Sequence, residues 1–469
     1  MENEVEMPLL SRIKRYKKIV MGIIISICTL LIIYLGMAIY FINHFYFGSA
    51  INCINVSGKN VEDVNEQMAS ELQIYVLNIK ERGGKSEQIR ANEVGLSYNS
   101  DGQFKDLKDR QKPYKWISSV FNTDASKMTE GVKYDKELLR KRVDKLSCFD
   151  SNNIVEPKNP SFKYTDKGYV IIDEVAGNKV NRDILYDHVS NAILKEETTI
   201  DLEWINCYVK SQYTSNSQKI IDTKNMLNKY VFSKITYNFG EHKEILDGST
   251  INKWLTVDEN FKVTFDEKEA KNYIDVLSTN YNTIGNRRNF ASSSGKTINV
   301  VGGDYGWSIN RAKETKALII AIKEGQTIAK EPSYIQTALS YGNNDIGDTY
   351  VEINLTKQHL WFYKNGFLIA QGDIVTGNVS SNHKTPEGIY GLKYKQRDAV
   401  LRGSDYASPV TFWMPFNGGI GIHDASWRST FGGKIYKTAG SHGCINSPYY
   451  LAKAIFDNIE AGIPVVCYN

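Results

Sequence analysis

The run from Ile19 to Phe47 contains no Asp, Glu, Lys or Arg and is rich in isoleucine and leucine. About 20 such residues in a helix cross the hydrocarbon core of a bilayer, so the pattern predicts one spanning segment. Arg12, Lys14, Arg15, Lys17 and Lys18 precede it, and by the positive-inside bias they keep the N-terminus in the cytoplasm. Tyr40, Phe45, Tyr46 and Phe47 suit the far interface. The expected layout is a basic cytoplasmic tail at 1–18, a transmembrane anchor at 19–47 and everything after about residue 48 outside the cell membrane. A cleaved signal peptide is the competing reading. The apolar run exceeds the roughly 7–15 residues of a signal core, although Gly48-Ser49-Ala50 supplies small residues of the kind a cleavage site needs.

Beyond the anchor, helical and strand periods alternate. Leu138, Leu139, Val143 and Leu146 recur at helical spacing, as do Ala270, Tyr273, Ile274 and Leu277. Each run opens behind an aromatic and a capping aspartate, Tyr134-Asp135 and Phe265-Asp266. Tyr169-Val170-Ile171-Ile172 and Thr297-Ile298-Asn299-Val300-Val301 read as strands. Landmarks repeat in order. Gly95-Leu96-Ser97-Tyr98, Lys115-Trp116-Ile117 and Gly177-Asn178-Lys179-Val180-Asn181 are matched by Ile235-Thr236-Tyr237, Lys253-Trp254-Leu255 and Gly306-Trp307-Ser308-Ile309-Asn310. An internal duplication into two α+β modules, 50–210 and 211–335, follows.

The stretch 331–348, with Pro332, Gly342, Asn343, Asn344 and Gly347, reads as a linker. From Thr349 onward short strands dominate, with Lys364-Asn365-Gly366 as a hairpin connection, so 349–469 is expected to be a mainly-β domain. The fold class is multidomain: a transmembrane helix, two α+β repeats and a mainly-β C-terminal domain.

Composition narrows the chemistry. A chain of 469 residues exceeds one core, and 42% apolar with 23% charged residues suits folded domains. A formal charge of +4 gives no reason to expect a nucleic-acid partner. The six cysteines, Cys28, Cys53, Cys148, Cys207, Cys444 and Cys467, form no CxxC pair, so neither a disulfide framework nor a zinc site is expected. Gly302-Gly303 and Gly432-Gly433 lack the context of a phosphate-binding loop, and no cofactor or metal is expected.

Only Cys444 has histidine company, in Gly421-Ile422-His423-Asp424, Trp427 and Ser441-His442-Gly443-Cys444-Ile445-Asn446. A thiol becomes a nucleophile when an imidazole or a helix N-terminus favours its thiolate. Ser447 and Pro448 open an apolar-periodic helix through Leu451, Ala454, Ile455 and Ile459, whose positive end is expected to lower the thiol pKa. His359 beside Leu360 and Trp361, and His383 in a polar loop, read as structural or solvated.

Val351-Glu352-Ile353-Asn354-Leu355, Gln358-His359-Leu360, Val375-Thr376-Gly377, Lys384-Thr385-Pro386-Glu387-Gly388 and the constellation from His423 to Asn446 resemble an L,D-transpeptidase catalytic domain of the YkuD type. The two repeats resemble the peptidoglycan-binding modules that precede such domains in some Gram-positive cell-wall enzymes, with Gly302-Gly303-Asp304-Tyr305-Gly306-Trp307 as the closest phrase. There Tyr305 and Trp307 are either sugar-stacking or core residues.

The resemblance implies Cys444 as nucleophile, His423 as proton donor and acceptor with its ring held by the Asp424 carbonyl, and His442 in support. Gly443, with the Cys444 amide, is implied as the oxyanion hole. Ser441, Asn446, Asp424 and Trp427 are implied to orient loop and substrate. The implied reaction joins stem peptides between third residues, with D-alanine released from a tetrapeptide donor, and carbapenems are implied as acylating inhibitors. An L,D-carboxypeptidase or an enzyme attaching proteins to peptidoglycan would use the same residues. A wall endopeptidase is disfavoured because the histidine precedes the cysteine, and a noncatalytic wall-binding protein because the motif is intact.

Overall fold

The computed structural model describes residues 9–98, 102–122, 124–126, 131–342, 344–403 and 407–469. Residues 1–8 of the expected tail and Asn343 of the expected linker lie outside the described residues. The chain forms two compact units, Met1–Ser161 with Asp173–Thr214, and Phe162–Ile172 with Ser215–Asn469.

In the first unit a helix, Leu9–Tyr40, is long and apolar enough to cross a membrane. It stops seven residues short of the expected end of the anchor at Phe47. Phe41 and Phe45 turn inward, at 0% and 1% exposure, and Tyr46 is buried with them. Phe45 packs on Ile51, Val56, Val64, Met68 and Phe104. These aromatics therefore serve the folded unit rather than an interfacial belt, because they gain more by filling a core than by half-burial at a headgroup.

The duplication is visible in topology. Helix Val61–Gln73, hairpin Val76–Lys80 with Ser86–Arg90, helices Lys136–Asp144 and Arg182–Leu194, and strand Thr199–Asp201 make the first copy. Helix Gln218–Val231, hairpin Lys234–Phe239 with His242–Leu246, helices Glu267–Tyr281 and Arg311–Glu324, and strand Thr327–Lys330 make the second. In both, the last strand pairs parallel with the first strand of the hairpin. Asp135 and Asp266 accept hydrogen bonds from first-turn amides, as do Asn181 and Asn310 at the following helices.

One landmark does not correspond. The Asp135 amide donates to the carbonyl of Val94, and the Asp266 amide to that of Trp254, at 2.9 and 2.8 Å. Val94 thus stands where Trp254 stands. Trp116 belongs to a segment between Ser97–Tyr98 and Val132–Lys133, where the second copy has only the short connection 258–262. Two Lys-Trp dipeptides align in the sequence, but insertion rather than descent from one position explains the first.

A hairpin separates the two helices of each copy. Ser161–Thr165 with Gly168–Ile172 falls almost wholly in the second unit, so the expected boundary at residue 210 is crossed. Its Tyr169 amide donates to Asn228 Oδ1 at 2.6 Å, and Phe162, Tyr164 and Tyr169 pack on the second module's core. The matching hairpin, Arg288–Ala291 with Thr297–Val300, packs Phe290 and Val300 against Ile389, Val466 and Tyr468 of the C-terminal domain.

The expected linker is folded. Tyr334–Gln336 pairs with Ser308–Ile309, and Ile346 is buried. Asp345 and Arg288, at 1% and 3% side-chain exposure, make a two-pronged ion pair at 2.9 and 2.8 Å, joined by the Thr283 hydroxyl. Tyr305 donates its hydroxyl to the Asp345 carbonyl, and Trp307 stacks on Tyr341. Both aromatics are buried, which assigns them to the core rather than to a sugar.

The C-terminal domain packs a sheet ordered Phe367–Asp373, His359–Lys364, Tyr350–Asn354, Pro464–Tyr468 and Gly388–Gly391 with a second ordered Gln396–Arg402, Ala407–Asn417, Ile420–Asp424 and Ile445–Ser447. Helix Tyr449–Asn458 contributes Leu451 and Ile455 to their shared core with Val351, Phe362, Phe412 and Ile422.

Removing one partner of a buried ion pair strands the other charge, at a cost of about 3–5 kcal/mol. Arg288→Ala is therefore expected to lower the thermal unfolding midpoint of the second unit clearly, while Arg311→Ala, at an exposed pair, leaves it within error. Differential scanning calorimetry of the full chain checks both.

Candidate active site

Strand register builds the site. Ala407–Asn417 sets Trp413 opposite His423, and the parallel pairing of Ile420–Asp424 with Ile445–Ser447 sets His423 opposite Asn446. Cys444 immediately precedes that last strand. His423, Trp427, Arg428, Ser441, His442, Cys444 and Asn446 line one cleft of about 250 Å³, together with Leu401, Ser408 and Gly440.

His423 is buried, and its Nδ1 lies 2.9 Å from the Asp424 carbonyl oxygen. A carbonyl only accepts, so Nδ1 carries the proton and Nε2 is left as an acceptor. Burial pulls the imidazole pKa down, against the smaller opposing effects of that carbonyl and the Asp424 charge. Burial thus favours the neutral ring.

Burial pushes the Cys444 thiol up, with a backbone hydrogen bond from Gly421 acting in the opposite direction. Sγ lies 3.5 Å from the Gly419 carbonyl, to which the thiol donates. This reverses the expected lowering. The strand Ile445–Ser447 separates the sulfur from the helix, which begins at Tyr449 behind Pro448. Ser447 does not cap it, since its Oγ is buried without a hydrogen-bond partner. Dipole effects fade beyond the first turn, so desolvation wins.

The turn is tied from two sides. Ser441 Oγ donates to the Cys444 carbonyl at 2.6 Å and accepts from the Gly443 amide at 3.0 Å. Thr385 Oγ1 donates to the Gly443 carbonyl at 2.7 Å and accepts from the Gly377 amide at 3.1 Å. Gly443 has φ +116, a conformation that side chains rarely adopt, and a Cβ at Gly377 would fall 1.8 Å from the His383 carbonyl. Because Ser441 occupies the Gly443 amide, that amide is not free for an oxyanion in this structure, contrary to the sequence expectation.

Asp424 also departs from expectation as a substrate residue. Its buried carboxylate accepts the Thr411 and Phe412 amides at 2.8 and 2.7 Å, so only its carbonyl serves the site. Trp427 is half exposed at the cleft, its ring 5.9 Å from that of His423. Asn446 is buried and lines the cleft. His442 is exposed, with its ring 4.7 Å from the ring of His383, a neighbour that a polar loop in the sequence does not disclose. Arg428 was also missed. Its Nη2 donates to the Ala439 carbonyl while its Nε is buried without a partner, and burial lowers its pKa. A lone arginine after Trp427 carries no sequence signal. His359 pairs with Asp373 across neighbouring strands and does not line the cleft.

Among the described residues, one group has ligand atoms spaced for a metal, Glu81, Glu87 and Cys148, and it belongs to the first module rather than the cleft. Burial, then the hydrogen bond to Glu87, raises Glu81, and burial pushes the Cys148 thiol up to about 12.

Comparison with known proteins bears on the cleft and the repeats. Residues 348–467 match the family described as L,D-transpeptidase catalytic domain, YkuD. Residues 87–201 and 213–330 each match the family described as "Putative peptidoglycan binding domain". A search of curated proteins returned no match. Among solved structures, the Ldtfm-avibactam carbamoyl enzyme is 36% identical over 53% of this chain and 99% of its own, with a TM-score of 0.46. A cysteine-to-serine mutant of the Enterococcus faecium L,D-transpeptidase is 35% identical over 54% of this chain and 100% of its own, with a TM-score of 0.45. The catalytic domain from the E. faecium L,D-transpeptidase, acylated by ertapenem, is 42% identical over 26% of this chain and 98% of its own, with a TM-score of 0.25. With a YkuD domain behind two repeats of the peptidoglycan-binding type, and over a third of positions identical along the whole length of such relatives, the chain belongs to the L,D-transpeptidase family.

Proposed function

We propose that the protein forms cross-links between the third residues of neighbouring peptidoglycan stems, through a thioester on Cys444. The observation that carries this reading is the shared cleft of Cys444 and His423, with Nδ1 of His423 occupied by the Asp424 carbonyl and Nε2 left to accept a proton.

Cys444 Sγ attacks the carbonyl between the third residue and the terminal D-alanine, and its proton passes to His423 Nε2. The tetrahedral intermediate collapses as the imidazolium returns that proton to the departing amine, so D-alanine leaves and the thioester remains. A side-chain amine of a second stem then attacks, gives a proton to Nε2 and forms the amide, and the sulfur leaves and recovers the proton. Since burial disfavours the charged form of both partners, the proton is proposed to move during attack rather than beforehand. The Cys444 amide is the donor proposed for the oxyanion, with Gly443 joining only if Ser441 lets its amide go. Trp427 and Asn446 are proposed to orient the stem, and His442 to support the turn.

Cys444 is also the proposed point of carbapenem attack in this chain, because it is the cysteine that lines the cleft. The helix Leu9–Tyr40, with Arg12 to Lys18 at its start, supports a single-pass anchor with a cytoplasmic N-terminus. The repeats are proposed to hold peptidoglycan near the cleft.

Incubated with disaccharide tetrapeptide, the full chain should yield dimers lighter by one D-alanine per link, read by mass spectrometry. Cys444→Ala should yield none, His423→Ala should be slower by about 10²–10⁴-fold, and His359→Ala should retain turnover. Tripeptide alone would instead point to carboxypeptidase action.

The raised thiol and lowered imidazole also set a pH dependence. Iodoacetamide labelling of Cys444 should climb with pH through a midpoint above that of an ordinary cysteine, about 8.5. The acid limb of kcat/KM, where His423 gains a proton and stops acting as base, should lie below about 6.5. A labelling midpoint near 6 would contradict the neutral pair and favour a preformed thiolate.

A further inference from the structure

The segment Pro113–Phe121 in the first unit makes a short 3-10 turn, Pro113–Lys115, and a short helix, Ile117–Phe121. Tyr114, Ile117, Val120 and Phe121 are 59, 47, 57 and 81% exposed, a concentration of apolar side chains that nothing in the folded unit covers. This patch is continuous with the apolar helix. Trp116 Nε1 donates to the Tyr34 carbonyl at 3.2 Å, the Tyr34 hydroxyl donates to the Tyr114 carbonyl at 2.6 Å, and the Trp116 ring lies 6.1 Å from that of Phe41.

Those contacts set a depth. From Lys18 to Tyr34 the helix climbs about 24 Å, and a hydrocarbon core beginning above Lys18 extends about 30 Å. The level of Tyr34 is then about 6 Å inside the outer face, within the 5–10 Å depth of helices that lie in an interface. The segment's own polar groups fit that medium. Ser118 and Ser119 turn their hydroxyls back onto the carbonyls of Lys115 and Trp116, and Asn122 turns its amide onto that of Ser118. Groups that would go unpaired in lipid are thus satisfied internally. Lys112 and Lys115 remain exposed, placed to reach phosphate headgroups.

We infer that Pro113–Phe121 is a second membrane contact, an apolar wedge seated in the outer leaflet beside the anchor. The occupant of the patch is the phospholipid surface. The wedge rests on the reading of Leu9–Tyr40 as an anchor, and with it the first module is held against the membrane at two points rather than swinging on one.

The test places the photo-crosslinker p-benzoylphenylalanine separately at Phe121, at Ile32 on the exposed face of the long helix, and at Trp204, which is 87% exposed elsewhere on the same unit. The full chain is reconstituted in vesicles of phosphatidylglycerol and phosphatidylethanolamine, irradiated, and its adducts weighed. Phospholipid adducts are expected at Ile32 and Phe121, exceeding those at Trp204 by at least about tenfold. Lipid at Ile32 with none at Phe121, lipid equally at Trp204, or a second copy of the chain joined at Phe121 would each overturn the wedge while leaving the anchor intact. Lipid at neither Ile32 nor Phe121 would remove the anchor reading and the wedge together.

Discussion

The parallel pairing of Ile420–Asp424 with Ile445–Ser447 is the constraint on which the site depends. It brings His423 and Cys444, which lie on successive strands joined by a loop, onto one cleft and decides which face each residue takes. Ile422 goes into the core while His423 takes the cleft side. A slip of one residue would exchange the two faces. Asp424 guards against that slip twice, because its carboxylate holds the amides of Thr411 and Phe412 and its carbonyl holds the His423 ring. An aspartate implied by the sequence to orient loop and substrate is thus a clamp for the strand and for the His423 ring.

The same burial that fixes the geometry sets the electrostatics. Desolvation disfavours the charged form of either partner, so it raises the thiol and lowers the imidazole. A preformed thiolate–imidazolium pair would need a nearby field to offset that cost. The following helix starts beyond Ser447, too far for the first-turn effect. Under the proposed mechanism, reactivity then comes with the substrate's arrival, when the Cys444 amide meets the developing oxyanion.

The chemistry was legible because its residues are close in sequence or carry rare types. Cys444 is the cysteine with histidines beside it, and the Asp-capped helices at Asp135 and Asp266 announce the duplication. What was hidden depends on tertiary contact. His383 reaches His442 through a loop, and Arg428 becomes interesting only once its Nε is seen buried and unpaired. The apparent linker failed as a linker because it carries Asp345, whose buried partner Arg288 is distant in sequence. Trp116 misled because a dipeptide match carries no information about the hydrogen bonds that place Val94 opposite Trp254 in the repeat.

The second module and the catalytic domain cannot be independent beads. Phe290 and Val300 share a core with Ile389, Val466 and Tyr468, and Asp304 pairs with Lys393. Gly303 comes so close that a Cβ there would fall 1.9 Å from the Ile389 carbonyl, a clash with backbone that no side-chain motion relieves. The phrase Gly302-Gly303-Asp304-Tyr305-Gly306-Trp307, which in sequence suggests ligand binding, instead joins two domains. Its glycines allow backbone to meet backbone, its aspartate makes the ion pair, and its aromatics fill the space behind. Whatever glycan surface the second module offers is therefore elsewhere on it, and is held at a fixed orientation to the cleft by this joint.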